Sequence, residues 1–200
     1  MRIAIDLNDV IRDYSDNFIK IYLTQYNHEF DPTDLELWTN ELQNVLPFKT
    51  DKAYQKFVYE DYAFELFGKC DVCSRGLATE LKTWCNKLRD LDIDEPIELM
   101  YVSPMEFGES INYSYFFISK LGLDIREVYF PVDSRTIWDK CDILITANPN
   151  LLNNKPEGKV SIKIKKDYNK ESVADYEYKT LSDFISNENN TEKLLENGTV

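Results

Sequence analysis

Met1-Arg2-Ile3-Ala4-Ile5-Asp6-Leu7-Asn8-Asp9-Val10-Ile11-Arg12-Asp13-Tyr14 opens the chain. Ile3, Ala4 and Ile5 form a short apolar run that stops at a carboxylate. That pattern reads as a buried strand with polar side chains at its C-terminal end. A loop follows over Asp6 to Val10. Between Ser15 and Tyr26, Phe18, Ile19, Tyr22 and Leu23 recur at helical spacing.

Further along, the same alternation of strand and helix repeats. Pro96 to Ser103 reads as a second buried strand, Glu127 to Phe130 as a third and Asp142 to Thr146 as a fourth. Val160 to Ile164 reads as a fifth, with the alternation of an edge strand. Arg75 to Leu91 and Ile111 to Leu121 read as helices, and Gly122 suits the turn after the second. This order predicts an α/β fold, a parallel sheet with helices on both faces. The stretch between the first two strands exceeds one crossover helix. Pro32 punctuates it, and aromatics crowd it from Trp38 to Phe67, so two or three short helices are expected there. The predicted organisation is a core of residues 1–14 and 76–186, a helical insert over 15–75 and a polar tail over 187–200. The tail reads as a weak helix or as disorder.

Composition narrows the function. The chain has 200 residues, 43% hydrophobic and 14% aromatic, enough for a packed core. Asp plus Glu number 36 against 23 Lys plus Arg, for a net charge of -13. A polyanion needs a basic face, so general nucleic-acid binding is not expected. Mean hydropathy is -0.46, and no apolar run approaches the roughly 18 residues of a membrane span. The first apolar run meets Asp6 too early for a signal peptide. With four cysteines, this predicts reduced thiols and a cytoplasmic setting. The Asn, Lys, Ile and Tyr content suits an AT-rich genome, and a phage or bacterial assembly is the alternative setting.

Ligands of parallel α/β sheets bind beyond the C-terminal ends of the strands. Asp6, Asn8 and Asp9, Ser103, and Thr146, Ala147 and Asn148 fall there, with Arg135 in the loop before the fourth strand. Asp6 to Tyr14 resembles the first motif of the haloacid dehalogenase (HAD) superfamily, closest to its deoxyribonucleotidase-like branch, Asp-x-Asp-Gly-Val-Leu-x-Asp-Phe. Leu99 to Ser103 is similar to the second motif, Arg135 to Trp138 to the third and Asp142 to Pro149 to the fourth. The resemblance implies a Rossmannoid core and a helical cap inserted after the first strand. It also implies a chemistry: Asp6 as nucleophile toward a phosphoryl group, Ser103 and Arg135 as phosphate ligands, and Mg2+ as cofactor if the chain is active.

Several positions depart from that pattern. Asn8 stands at the acid/base position, and an amide exchanges no proton near neutral pH, which forfeits about 10²–10⁴-fold. Asp9 replaces a glycine, and Arg135 replaces a lysine that its planar fork does not mimic. Thr146 and Ala147 replace an acidic pair, leaving Asp6 and Asp9 as weak metal ligands. The expectation is a catalytically degenerate HAD-like protein, a binding or structural component with no cofactor. The alternative is a magnesium-dependent phosphomonoesterase working through an Asp6 phosphoenzyme, with Asp9 as an improvised metal or proton-transfer group.

Expected partners are another protein or an assembly, with a phosphorylated small molecule as a further possibility, and no membrane. The insert aromatics read as a small core or a contact surface. Lys155, Lys159, Lys163, Lys165, Lys166 and Lys170 form a local basic stretch, read as a solvated edge or as a dock for an acidic partner. Cys70-Asp71-Val72-Cys73 lacks a second pair for zinc. His28 reads as structural, and no histidine partners Ser103 or Ser110 for a Ser-His-Asp site.

Overall fold

A computed structural model describes residues 1–26, 46, 48–91, 96–104, 106–122, 127–187 and 189–191. Six parallel strands form one sheet in the order β3-β2-β1-β4-β5-β6. They are β1 (Arg2–Asp6), β2 (Glu98–Val102), β3 (Glu127–Tyr129), β4 (Ile143–Thr146), β5 (Val160–Ile164) and β6 (Tyr176–Tyr178). The helices are α1 (Tyr14–Tyr26), α2 (Asp51–Lys56), α3 (Leu77–Arg89), α4 (Glu109–Leu121), α5 (Pro149–Asn153) and α6 (Leu181–Ile185). The expected α/β architecture is thus observed.

Strand alternation sorts the core into two layers. Ile3, Ile5, Tyr101, Ile143, Ile145, Ile162 and Ile164 point to one face, where Leu77, Leu81, Trp84, Leu88 and Phe117 cover them. Ala4, Met100, Val102 and Leu144 point to the other, against Ile137, Trp138, Cys141 and Leu151. Burial on both faces explains why β1 and β4 read as continuous apolar runs rather than as alternating ones.

One expectation is corrected. β5 is not an edge strand, because Ile162, Lys163 and Ile164 pair with Tyr176, Glu177 and Tyr178 of β6. Its alternation has another cause: Ser161 and Lys163 are buried polar residues, satisfied by Asp175 and by the Ser172 carbonyl with Glu177.

The insert builds its own small core. Phe18, Tyr22, Leu46, Phe57, Val58, Ala63, Leu66 and Phe67 cluster away from the sheet. Two wide turns over Phe57–Asp61 and Phe64–Gly68 close with bonds from Tyr62 N to Phe57 O and from Lys69 N to Phe64 O, each five residues apart. His28, Pro32 and Trp38 lie outside the described residues, as does most of the predicted tail. Thr191, at its start, accepts a hydrogen bond from the Trp84 indole. Among the described residues, no helix is long and apolar enough to cross a membrane.

Candidate functional site

The site is set by strand register. β1 lies between β2 and β4, with Asp6 opposite Val102 and Ile5 opposite Ile145. The next residues, Ser103 and Thr146, therefore flank Asp6 at the C-terminal rim. Beyond Asp6 the chain folds back on itself. Ile11 and Arg12 N–H groups donate to the Leu7 carbonyl, and Asp9 N–H donates to the Arg12 carbonyl. This tight loop needs a left-handed residue at its tip. Asp9 occupies it at φ 60°, the conformation that explains why a glycine is expected there.

Asp9 is held by its own carboxylate. One oxygen accepts from Ser15 N–H at 2.8 Å, and the other from the Ser15 hydroxyl and from Tyr168 OH at 2.7 Å. These bonds anchor the start of α1 to the loop. Burial and the neighbouring Asp9 charge push the Tyr168 phenol well above its ordinary range.

Asp6 is 2% exposed. Thr146 Oγ1 donates to its carboxylate at 2.7 Å, and Asn8 N–H at 3.2 Å. Desolvation outweighs these bonds and raises its pKa from 3.8 to about 7. Thr146, at the position where the resemblance implies a carboxylate, thus serves as a hydrogen-bond donor to Asp6. It also accepts from Asn148 N–H at 3.0 Å, and Asn148 caps α5 through Asn150 N–H.

The centre of the rim is a residue that the sequence reading did not single out. Arg12 is 0% exposed, and each of its five N–H groups has an acceptor. Nε donates to Asn8 Oδ1 at 2.7 Å. Nη1 donates to Ser114 Oγ at 2.6 Å and to the Phe67 carbonyl at 3.1 Å. Nη2 donates to Ser103 Oγ at 3.2 Å and to Glu106 Oε1. The guanidinium also lies 4.9 Å from the Phe67 ring centroid. Glu106 completes the cluster, accepting from the Ser103 hydroxyl and, at 2.6 Å, from the Ser114 hydroxyl. One buried ion pair thereby ties together the first loop, the end of β2, helix α4 and the insert.

Of the predicted site residues, Asp6 joins Thr146, while Asn8 and Ser103 join Arg12. Ala147 is buried beside them, its carbonyl accepting from Asn169. Arg135 does not join this network. Its guanidinium forks onto Asp133 at 2.7–3.2 Å, with the side chain 74% exposed. The signal for Glu106 lay in its place, three residues after the strand-ending Ser103. For Arg12, the signal was a cation set directly between the apolar pair Val10-Ile11 and Asp13.

Cys70-Asp71-Val72-Cys73 lies against this loop as a strap. Asp13 N–H donates to the Asp71 carbonyl, Cys73 N–H to the Ile11 carbonyl, and Cys70 Sγ to the Asp13 carbonyl. Both thiols are free, and burial raises the pKa of Cys70 to about 12. The Lys-rich stretch is locally neutralised. Lys155 pairs with Asp175, Lys159 with Asp142, Lys163 and Lys165 with Glu177, Lys166 with Asp13, and Lys170 with Asp167.

No protein-family model matches the chain, and no curated protein matches it. Among solved structures it is similar to YfnB from Bacillus subtilis, described as a candidate HAD-hydrolase and solved with magnesium bound. The match covers 100% of this chain and 98% of that one, with a TM-score of 0.50 and 11% sequence identity. The fold is HAD-like.

Magnesium in such a fold raises the question of donors. Mg2+ favours an octahedron of hard oxygens including one or two carboxylates. At this rim Asp9 is engaged by Ser15 and Tyr168, and Thr146 and Ala147 contribute no carboxylate. Among the described residues no group of three or more His, Cys, Asp or Glu side chains converges as a cation site. With the Asp6 carboxyl buried and bonded to Thr146, the donor set among the described residues does not fit magnesium.

Proposed function

We propose that this chain is a HAD-fold protein that has kept the cleft but not phosphoryl turnover, and that it serves as a binding or structural component. The observation that carries this reading is the Arg12–Glu106 ion pair. It takes up the hydroxyl of Ser103, which the resemblance makes a phosphate contact, and the side chain of Asn8 at the acid/base position. Asn8 itself has no proton to give a leaving group, and the donor set for a divalent ion is short. Such reactions rest on positioning and on neutralising charge, so losing both leaves little rate enhancement.

The second reading is a magnesium-dependent phosphomonoesterase of the deoxyribonucleotidase kind, with Asp6 as nucleophile. It is favoured by the placement of Asp6 at the rim of a HAD-like sheet and by the hydrolase neighbour. One assay separates the two. Phosphate release from p-nitrophenyl phosphate and from deoxynucleoside monophosphates is measured with magnesium, for the wild type and for Asp6→Asn. The non-catalytic reading expects no difference between them. Turnover that requires both Asp6 and magnesium would overturn it.

A further inference from the structure

We infer that Arg12, Ser103 and Ser114 form a carboxylate-binding pocket whose resident ligand is the chain's own Glu106. The pocket has the composition of a ligand site rather than of a packing contact. Three donors from three separate elements converge on one planar anion. Arg12 comes from the loop after β1, Ser103 from the end of β2 and Ser114 from the middle of α4. Oε1 receives Arg12 Nη2 and Ser103 Oγ, while Oε2 receives Ser114 Oγ. Both oxygens are thus used. Each serine hydroxyl accepts from Arg12 on one side and donates to the carboxylate on the other, so the donors are oriented toward an anion.

The walls are built to the same end. The guanidinium is immobilised by its remaining bonds to Asn8 and the Phe67 carbonyl and lies 4.9 Å from the Phe67 ring centroid. A buried cation so held needs a counter-anion, because an unpaired charge there is strongly destabilising. Glu106 arrives from the connection between β2 and α4, whose last residue, Gly108, turns at φ 61°. The anion is therefore supplied by a connecting segment, while the receptor is made by the fold. Filling the pocket also draws the insert, through the Phe67 carbonyl, onto the core. The inference goes beyond the non-catalytic reading and does not depend on it. Measured hydrolysis would overturn that reading and leave the pocket as described.

Acetate is the probe, because Glu106→Ala deletes the Cγ, Cδ and two oxygen atoms that acetate replaces one for one. The full chain carrying Glu106→Ala is melted in sodium acetate and in sodium chloride of equal ionic strength. Acetate is expected to raise its Tm by several degrees in a saturable manner. The wild type, its pocket filled, and the double variant Arg12→Met/Glu106→Ala should respond to acetate no more than to chloride. Amide hydrogen exchange at Phe64 to Lys69 should speed up in the variant in chloride and slow again in acetate. If Glu106→Ala does not fold in chloride, the refolding yield against acetate concentration becomes the readout, and rescue by acetate is expected. Equal responses in acetate and chloride, or no rescue, would overturn the pocket. A larger effect of inorganic phosphate than of acetate would overturn the carboxylate assignment.

Discussion

Asp6 gives up its water shell for one hydroxyl and one amide, and desolvation holds its pKa at about 7 against an ordinary 3.8. The folded chain therefore keeps a proton that the unfolded chain has released over that interval. The stabilisation from this group is complete below about 3.8 and is lost as pH rises through 7, on the order of a few kcal/mol. Urea unfolding of the wild type and Asp6→Asn between pH 4 and 8 should show this. Wild-type stability falls relative to the variant up to pH 7 and then runs parallel to it. Asp9 makes a different prediction. Asp9→Ala keeps a left-handed residue and deletes three hydrogen bonds, so it should lose about 2–4 kcal/mol. Asp9→Asn, which tolerates the same φ and keeps one acceptor, should lose less. Tyr101 tests the opposite case. Its hydroxyl is buried without a hydrogen-bond partner among the described residues, so Tyr101→Phe should be neutral or stabilising by up to about 1 kcal/mol in the same experiment.

At the level of elements, the first loop and the strap over Cys70 to Cys73 behave as one unit, joined by paired main-chain bonds. Burial raises the pKa of Cys70 and Cys141 to about 12 and of Cys85 to about 11, and it lifts Cys73 further still. A thiol reacts as its thiolate, so iodoacetamide at pH 7.5 should label the folded protein slowly and all four cysteines on unfolding, counted by mass spectrometry. β1, β2 and β4 were legible because each carries an apolar run ending in polar rim residues, β3 from the short run Val128-Tyr129-Phe130, and β5 from its alternation. β6 was not: Tyr176-Glu177-Tyr178 is three residues long, and it reads as strand only beside β5. The rim residues Asp6, Ser103 and Thr146 were legible from their strand ends. Arg12 and Glu106 were not, because their meeting depends on how a loop, a connection and the insert fold against one another. Spacing places Glu106 near the rim but carries no record of its meeting with Arg12.

For the whole molecule, charge is the governing quantity. A net charge of -13 repels itself, and the basic stretch offers no relief to a distant partner because its lysines are already paired. Raising sodium chloride from 20 to about 150 mM shortens the screening length to roughly 8 Å and should raise Tm. The same pairing predicts no retention on immobilised heparin at the higher salt. The sheet itself ends on strands of three residues at either margin, Glu127–Tyr129 and Tyr176–Tyr178. So short a border gives another chain few main-chain groups to zip onto. Concentrated solutions should accordingly resist fibre growth, and a crowded compartment could hold many copies without their sheets fusing end to end.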